Sequence, residues 1–312
     1  MLVEDELAQF SPEKDTLLTV GVFDGVHLGH KYLISRLVNK AEQENLLSGV
    51  ITFSQHPQEV LQPDISLPFL TDLAERKKLL ENEGVNIFVP ITFTVETSRL
   101  GASEFVGLLK KYLRIRGLVI GPDFALGRNR EGNADVLRKL GQELDFSVTV
   151  VPPVVIDGEV VSSTAIRRAL GEGDVRKVSR LAGRLFGLHG RVIAGSGRGI
   201  ALGFPTANLE VDPEQALPAD GVYAGWADIG GETFPAMTNI GTNPTFGDRR
   251  RAVEAYLDGY HGDLYGQEIR LEFVERLRDE IKFDSVAELK KQMAEDVKRG
   301  KAILKAEGGK GI

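Results

Sequence analysis

The pattern of apolar residues changes character once along this chain, near Phe186, and that change limits the folds open to it. Before it, short apolar runs alternate with amphipathic stretches of helical length. Leu17–Val22, Gly49–Phe53, Val85–Val89, Leu118–Ile120 and Ser147–Val151 read as strands. Between them His30–Asn45, Asp72–Glu83, Ser103–Leu113 and Ala134–Leu144 read as helices. Leu33, Leu37 and Ala41 share one face of the first helix; Phe105, Leu108, Leu109 and Tyr112 share one face of the third. Strands separated by helices of this length predict βαβ units and a doubly wound parallel sheet, an α/β domain.

After Phe186 the helical period is lost as far as Phe273. Short β segments rich in glycine and proline replace it: Gly190–Ala194, Thr206–Val211, Val222–Ala227, Phe234–Ile240, Val253–Leu257 and Ile269–Glu275. This spacing predicts a small antiparallel β-barrel. Ser285-Val286-Ala287-Glu288 has the capping-box pattern. It opens a terminal helix whose Val286, Leu289, Met293 and Val297 are expected to face a core, before a frayed tail at Gly308–Ile312. A chain of 312 residues is long for one core, so two domains are expected, 1–182 and 183–312.

Composition narrows the function classes. The net charge of −7 argues against a nucleic-acid partner, which calls for a basic face. Arg249-Arg250-Arg251 is one local basic run and reads first as a solvated loop. The absence of cysteine excludes thiolate catalysis and Cys-based metal sites and fits a reducing cytoplasm, where the protein is expected to reside. No run approaches the roughly 18 apolar residues that span a bilayer, and the acidic N-terminus lacks a signal-peptide pattern, so no membrane partner is expected.

The residues that carry chemistry come in five groups. Gly21-Val22-Phe23-Asp24-Gly25-Val26-His27-Leu28-Gly29-His30 lies between the first strand and the first helix. Unpaired N–H groups and the positive end of the macrodipole collect at a helix N-terminus, which makes it an anion site. Gly21, Gly25 and Gly29 permit close approach of a phosphate, and His27 and His30 add two titratable donors. A zinc reading is weaker, because no third ligand has suitable spacing. Asp123, in Gly121-Pro122-Asp123-Phe124-Ala125-Leu126-Gly127-Arg128, lies on the same predicted sheet edge; it suits a metal, a ribose hydroxyl or merely a turn. Ser162-Ser163-Thr164 with Arg167 one turn on suits a phosphate and equally an ordinary helix cap.

In the second half, Gly195-Ser196-Gly197-Arg198-Gly199 is a basic glycine loop leading into Gly203-Phe204-Pro205-Thr206-Ala207-Asn208-Leu209. It is neither a Walker loop nor a dinucleotide fingerprint. Thr206 and Asn208 alternate on one strand and so face one side, an oxygen pair suited to Mg²⁺. Glu254, within an apolar strand, is either an outward surface residue or a general base.

Taken together these segments resemble one family, the bifunctional prokaryotic riboflavin kinase/FMN adenylyltransferases, also called FAD synthetases. The motifs that carry the resemblance are Gly-Val-Phe-Asp-Gly-Val-His-Leu-Gly-His, Ser-Ser-Thr-x-Ile-Arg, Gly-Phe-Pro-Thr-Ala-Asn-Leu, Gly-Val-Tyr-Ala, Asn-Ile-Gly-x-x-Pro-Thr-Phe and Leu-Arg-Asp-Glu-x-Lys-Phe, in family order over nearly the whole chain. The resemblance implies a nucleotidyltransferase-like N-terminal domain that transfers AMP from ATP to FMN, giving FAD and pyrophosphate. It implies a C-terminal kinase domain that phosphorylates riboflavin with ATP and Mg²⁺. ATP, riboflavin, FMN and FAD are then the partners; weak self-association stays open.

By the same resemblance, His27 and His30 contact ATP phosphates, and Gly21, Phe23, Asp24, Gly25 and Gly29 belong to that site. Ser163, Thr164 and Arg167 form a second phosphate clamp, and Asp123 lies near ATP and its metal. Thr206 and Asn208 hold Mg²⁺ and ATP phosphates with Gly199 beside them, and Glu254 takes the proton from the flavin hydroxyl. The chain departs from the family at Leu126, where a second aromatic is usual, at Gly183-Arg184-Leu185-Phe186, which lacks a proline, and at Tyr256, where histidine is common. No residue with an assigned chemical role is missing, which weighs against a non-catalytic flavin- or nucleotide-binding regulator on the same fold.

Overall fold

The computed structural model describes residues 3–195, 197, 199, 202–242 and 251–308. The chain forms two compact units, Met1–Ser163 and Thr164–Ile312. In the first, strands β1 (Thr16–Val20), β2 (Leu47–Phe53), β3 (Ile87–Ile91), β4 (Ile115–Ile120) and β7 (Ser147–Val150) form one parallel sheet in the order β3-β2-β1-β4-β7. Helices α1 (Val3–Leu7), α2 (Leu28–Gln43), α3 (Pro57–Leu61), α4 (Leu73–Asn82), α5 (Val95–Arg99), α6 (Ala102–Leu113) and α7 (Ala134–Leu144) connect and cover it. Two short hairpins, β5 (Ala125–Leu126) with β6 (Gly132–Asn133) and β8 (Val155–Ile156) with β9 (Glu159–Val160), complete the unit.

Side chains alternate across a strand, so a sheet covered on both faces buries every position of its central strands and not only alternate ones. All five residues of β1 are buried. Leu18, Val20, Ile51, Leu118 and Ile120 pack with α6 and α7 residues on one face; Leu17, Val50 and Val119 pack with Ile34, Leu37, Ala41 and Leu80 of α2 and α4 on the other. The doubly wound sheet expected from the sequence is therefore the one formed. Several boundaries differ, β1 ending at Val20 and β4 beginning at Ile115 among them, and two have a visible local cause. Helix α2 begins at Leu28 because His27 caps it, and β3 begins at Ile87 because the Val85 N–H still closes the end of α4 on the Leu80 carbonyl at 3.3 Å.

The second unit opens with α8 (Ser163–Gly171) and α9 (Val175–Ala182), the latter capped by Asp174, whose carboxylate accepts the Lys177 N–H at 2.9 Å. Helix α9 packs on the barrel, where Arg176 donates to Glu275 at 2.8 Å. The compact division thus falls ahead of these two helices, whereas the change of sequence period set them with the first half. Strands β10 (Phe186–Ile193), β11 (Thr206–Glu210), β12 (Gly221–Ile229), β13 (Glu232–Thr242), β14 (Arg251–Leu257) and β15 (Glu268–Arg278) close an antiparallel barrel in the order β10-β11-β14-β13-β12-β15. Its seam joins β10 to β15, with Phe186 opposite Phe273. On β14, Val253, Ala255 and Leu257 are buried, while Ala252, Glu254 and Tyr256 alternate to the other side.

The terminal helix α10 (Val286–Ala306) is capped as the capping-box pattern predicts, Ser285 Oγ accepting the Glu288 N–H at 3.2 Å. Of the residues expected to face a core, Val297 packs against the cluster of Ala224, Trp226, Met237 and Leu304, whereas Val286 does not. Val286 is 68% exposed, and the helix buries Asp296, Gly300 and Leu304 instead. Leu289, Met293 and Val297 are half-buried because they line a cavity. Asp296 is buried at an apolar-looking interface because Arg278 reaches it from β15, with nitrogen–oxygen distances of 3.0 and 2.8 Å, and Gln292 adds a bond at 2.9 Å.

Candidate active sites

In the parallel sheet the strand order reverses between β1 and β4, and ligands of such sheets sit outside the carboxyl ends of the strands at that point. The segment Gly21–His30 leaves the end of β1 there, and Gly121–Gly127 leaves the end of β4. The turn after β1 is tightly shaped. Gly25 has φ 79°, and a Cβ there would lie 2.9 Å from Leu70 Cδ1. Phe23 and Val26 also take positive φ, 51° and 33°. A left-handed conformation at a β-branched valine is costly and persists only where surrounding contacts impose it.

Those contacts are present. The buried Asp24 carboxylate accepts the Leu70 N–H at 2.9 Å and the Thr71 N–H at 3.0 Å. The Gly25 N–H donates to Thr71 Oγ1 at 2.9 Å, and Ser163 Oγ donates to the Asp24 carbonyl at 2.9 Å. His27 caps α2, its Nδ1 accepting the His30 N–H at 3.2 Å. In the neutral ring the proton is then on Nε2. The two imidazoles stack with centroids 3.6 Å apart, and Phe23 packs on His30 at 5.0 Å. No acidic residue occupies the first turn of α2 to offset the dipole. A Cβ at Gly29 would stand 3.1 Å from the His27 ring.

The structure thus brings Gly21, Phe23, Asp24, Gly25, His27, Gly29, His30 and Ser163 together. Asp24 turns inward, onto residues 70 and 71, and acts on the turn rather than on the space beyond it. Asp123 is exposed, and Arg130 donates to its carbonyl at 2.9 Å. Among the described residues no three His, Cys, Asp or Glu side chains group as a metal cluster. Thr164 is exposed and Arg167 half-buried on α8, within the second unit.

The barrel carries a second site. In register, Thr206 lies opposite Tyr256, and Glu254 of β14 is flanked by Asn208 of β11 on one side and Asn239 of β13 on the other. Thr206, Asn208, Asn239, Glu254 and Tyr256 all line one cavity of about 1260 Å³. Gly195 and Gly199 close over this row: a Cβ at Gly199 would stand 3.2 Å from Thr206 Oγ1, and one at Gly195 would overlap the Asn208 amide. Ser196 and Arg198 of that loop, Asn243 to Phe246 of the Asn-Ile-Gly motif, Arg249, Arg250 and residues 309–312 of the tail lie outside the described residues. Arg251 is held by Asp220 at 2.7 Å.

The far wall of the cavity comes from Arg278, Glu280, Lys282 and Phe283 and from the α10 residues Leu289, Met293 and Val297. Arg278, Glu280, Lys282 and Phe283 belong to the Leu-Arg-Asp-Glu-x-Lys-Phe motif, whose pattern carries no sign of a place in the site. Asn239 opens the Asn-Ile-Gly-x-x-Pro-Thr-Phe motif, and its place beside Glu254 is visible only once the β13–β14 register is known. Tyr256, where histidine is common, packs edge-on against Phe204 at 5.4 Å. Burial, and then the Asp258 carboxylate, pushes its phenol above the ordinary value.

Two protein families match successive parts of the chain. The FAD synthetase family matches residues 9–165, and the riboflavin kinase family matches residues 182–304. The bifunctional riboflavin kinase/FMN adenylyltransferase of Escherichia coli K12 is 36% identical over 288 residues, covering 92% of each chain. That of Pseudomonas fluorescens is 35% identical over 300 residues, covering 95% of this chain and 96% of its own. A crystal structure from Streptococcus pneumoniae, described as a macrolide-efflux protein, superimposes with a TM-score of 0.88 at 30% identity over 95% of this chain and 96% of its own. That likeness carries the fold. Efflux is said of that protein, and among the described residues here no helix is long and apolar enough to cross a membrane. The chain belongs to the bifunctional riboflavin kinase/FMN adenylyltransferase family.

Proposed function

We propose that the two activities of this bifunctional enzyme divide between the two units, riboflavin phosphorylation in the barrel and FMN adenylylation at the turn after β1. The observation that carries the barrel assignment is the row Asn208–Glu254–Asn239 with Thr206, all facing one cavity. Phosphoryl transfer needs positioning and charge neutralisation, and the attacking hydroxyl must also lose a proton. Glu254 is the carboxylate placed to accept the proton of the ribityl hydroxyl as its oxygen bonds to the γ-phosphorus of ATP and ADP departs.

The hydroxyl of Thr206 and the amide oxygen of Asn208 are hard oxygen donors with room left by Gly199, a set that fits Mg²⁺. When bound there, Mg²⁺ would neutralise charge on the ATP phosphates. In the first unit, the FMN phosphate is already a nucleophile, so its oxygen attacks the α-phosphorus and pyrophosphate leaves without a strong base. The α2 N-terminus, His27 and His30 supply donors to the phosphate oxygens. Ser163, Thr164, Arg167 and Asp123 complete this reading, and both reactions draw on cytoplasmic ATP.

Time-resolved HPLC of riboflavin, FMN and FAD tests the assignment. E254Q is expected to lose riboflavin phosphorylation by about 10²–10⁴-fold while still converting supplied FMN to FAD. His30→Ala is expected to stop FAD formation and let FMN accumulate. Loss of both activities in either variant would refute two separate sites.

A further inference from the structure

Beneath the Gly21–Gly25 turn lies a buried arginine to which the reaction gives no direct part. Arg76 of α4 is only 4% exposed. Its Nη1 donates to Thr52 Oγ1 at 3.2 Å and to the Phe53 carbonyl at 2.9 Å; its Nη2 donates to the Thr71 carbonyl at 3.2 Å and stands 3.9 Å from the Asp24 carboxylate. Each partner leads back to the turn. Thr52 Oγ1 in turn donates to the Val22 carbonyl at 2.8 Å. Thr71 Oγ1 accepts from the Gly25 N–H, and the Asp24 carboxylate stands on the Leu70 and Thr71 N–H groups. One guanidinium therefore braces both ends of the turn, Val22 through Thr52 and Gly25 through Thr71.

It also brings a positive charge to 3.9 Å from the Asp24 carboxylate. A buried carboxylate directly under a polyphosphate would repel it, and Arg76 alongside offsets that charge. We propose that Arg76 is a positioning residue for adenylyl transfer, fixing the direction of the turn's N–H groups and cancelling the Asp24 charge beneath the ATP phosphates. This rests on the reading of the turn as the adenylylation site. Because the floor faces ATP, its loss acts on ATP and leaves the grip on FMN as it was. A fork of this kind is not reproduced by lysine, which keeps the charge but reaches fewer acceptors at once.

The test uses the full chain as wild type, R76K and R76M, each assayed well below its melting temperature for FAD formation from FMN and, as an internal control, for FMN formation from riboflavin. R76M is expected to lose about 30-fold in kcat/KM for adenylylation, with KM for ATP raised, KM for FMN within about twofold, and the kinase reaction within about twofold. R76K is expected to recover about fivefold of that loss. Should R76M fail to fold, Thr52→Val removes a single hydroxyl of the relay and is expected to raise KM for ATP by about threefold. A fall in kcat with neither KM altered, the signature of a smaller folded fraction, overturns the proposal, as does an R76M that makes FAD like the wild type. A wild type that phosphorylates riboflavin but makes no FAD overturns instead the reading of the turn on which the proposal stands.

Discussion

Removing Asp296 is expected to disable the kinase reaction without touching the other. The Arg278–Asp296 pair joins α10 to β15, with the two side chains 16% and 8% exposed and the closest approach 2.8 Å. Asp296→Ala deletes the carboxylate and leaves a guanidinium that keeps one bond, from Nη1 to the Asp279 carbonyl at 2.9 Å. Breaking a buried pair by removing one partner costs about 3–5 kcal/mol, because the remaining charge is desolvated and uncompensated. That is a large share of the roughly 5–15 kcal/mol that holds a domain together. Helix α10 would detach first, and with it Leu289, Met293 and Val297 from the cavity wall.

Urea unfolding followed by circular dichroism, together with HPLC assays of both reactions at 37 °C, reads the outcome. The expected result is an early transition, loss of riboflavin phosphorylation, and FAD formation from supplied FMN close to wild type. The double variant R278M/D296L replaces the charges with apolar groups of similar reach and is expected to be more stable than either single change. An unchanged urea midpoint in Asp296→Ala, or a double variant less stable than both singles, would refute the reasoning.

Two further outcomes follow from single residues. Gly25→Ala forces a Cβ into a left-handed conformation against Leu70, whose backbone Asp24 holds in place, and is expected to cost about 2–3 kcal/mol; FAD formation should fall by about 30- to 150-fold with riboflavin phosphorylation intact, and equal FAD output would count against the shape of the turn. Tyr223 donates to the Ala219 carbonyl at 2.6 Å, and burial pushes its phenol above the ordinary value. The unfolded chain releases this proton first as pH rises past about 10, so it binds fewer protons than the folded chain and stability falls there. Chemical denaturation of Tyr223→Phe across that range should show a shallower decline than the wild type, and parallel curves would exclude Tyr223 as the cause.

What the sequence made legible were the features that repeat along a segment. Buried strands such as β1 and amphipathic helices such as α6 announce themselves by period, and the loss of helical period after Phe186 marked the barrel. Short helices α1, α3 and α5 and the hairpins β5–β6 and β8–β9 escaped notice, since five residues or fewer carry no period. The turn after β1 was legible from its glycines and histidines, but the inward role of Asp24 was not. Its partners at residues 70 and 71 come to it only through the tertiary fold. Asn239, likewise, becomes Glu254's neighbour through strand register. Val286 fell on the predicted apolar face of α10, yet the face that packs is set by Arg278 reaching Asp296.

The seam that shuts the barrel has a consequence for how the chain is made. Residues 186–191 pair with residues 268–273, so the earliest barrel strand, which meets β11 early, must wait through most of the second unit's synthesis for its other neighbour. Contacts so distant in sequence form slowly. The parallel sheet, by contrast, has all its strands once Val150 has emerged. On a ribosome the adenylylating half can therefore take shape while the phosphorylating half is still an unclosed sheet, and the interval before Phe273 appears is when that sheet's free edges are most open to wrong partners.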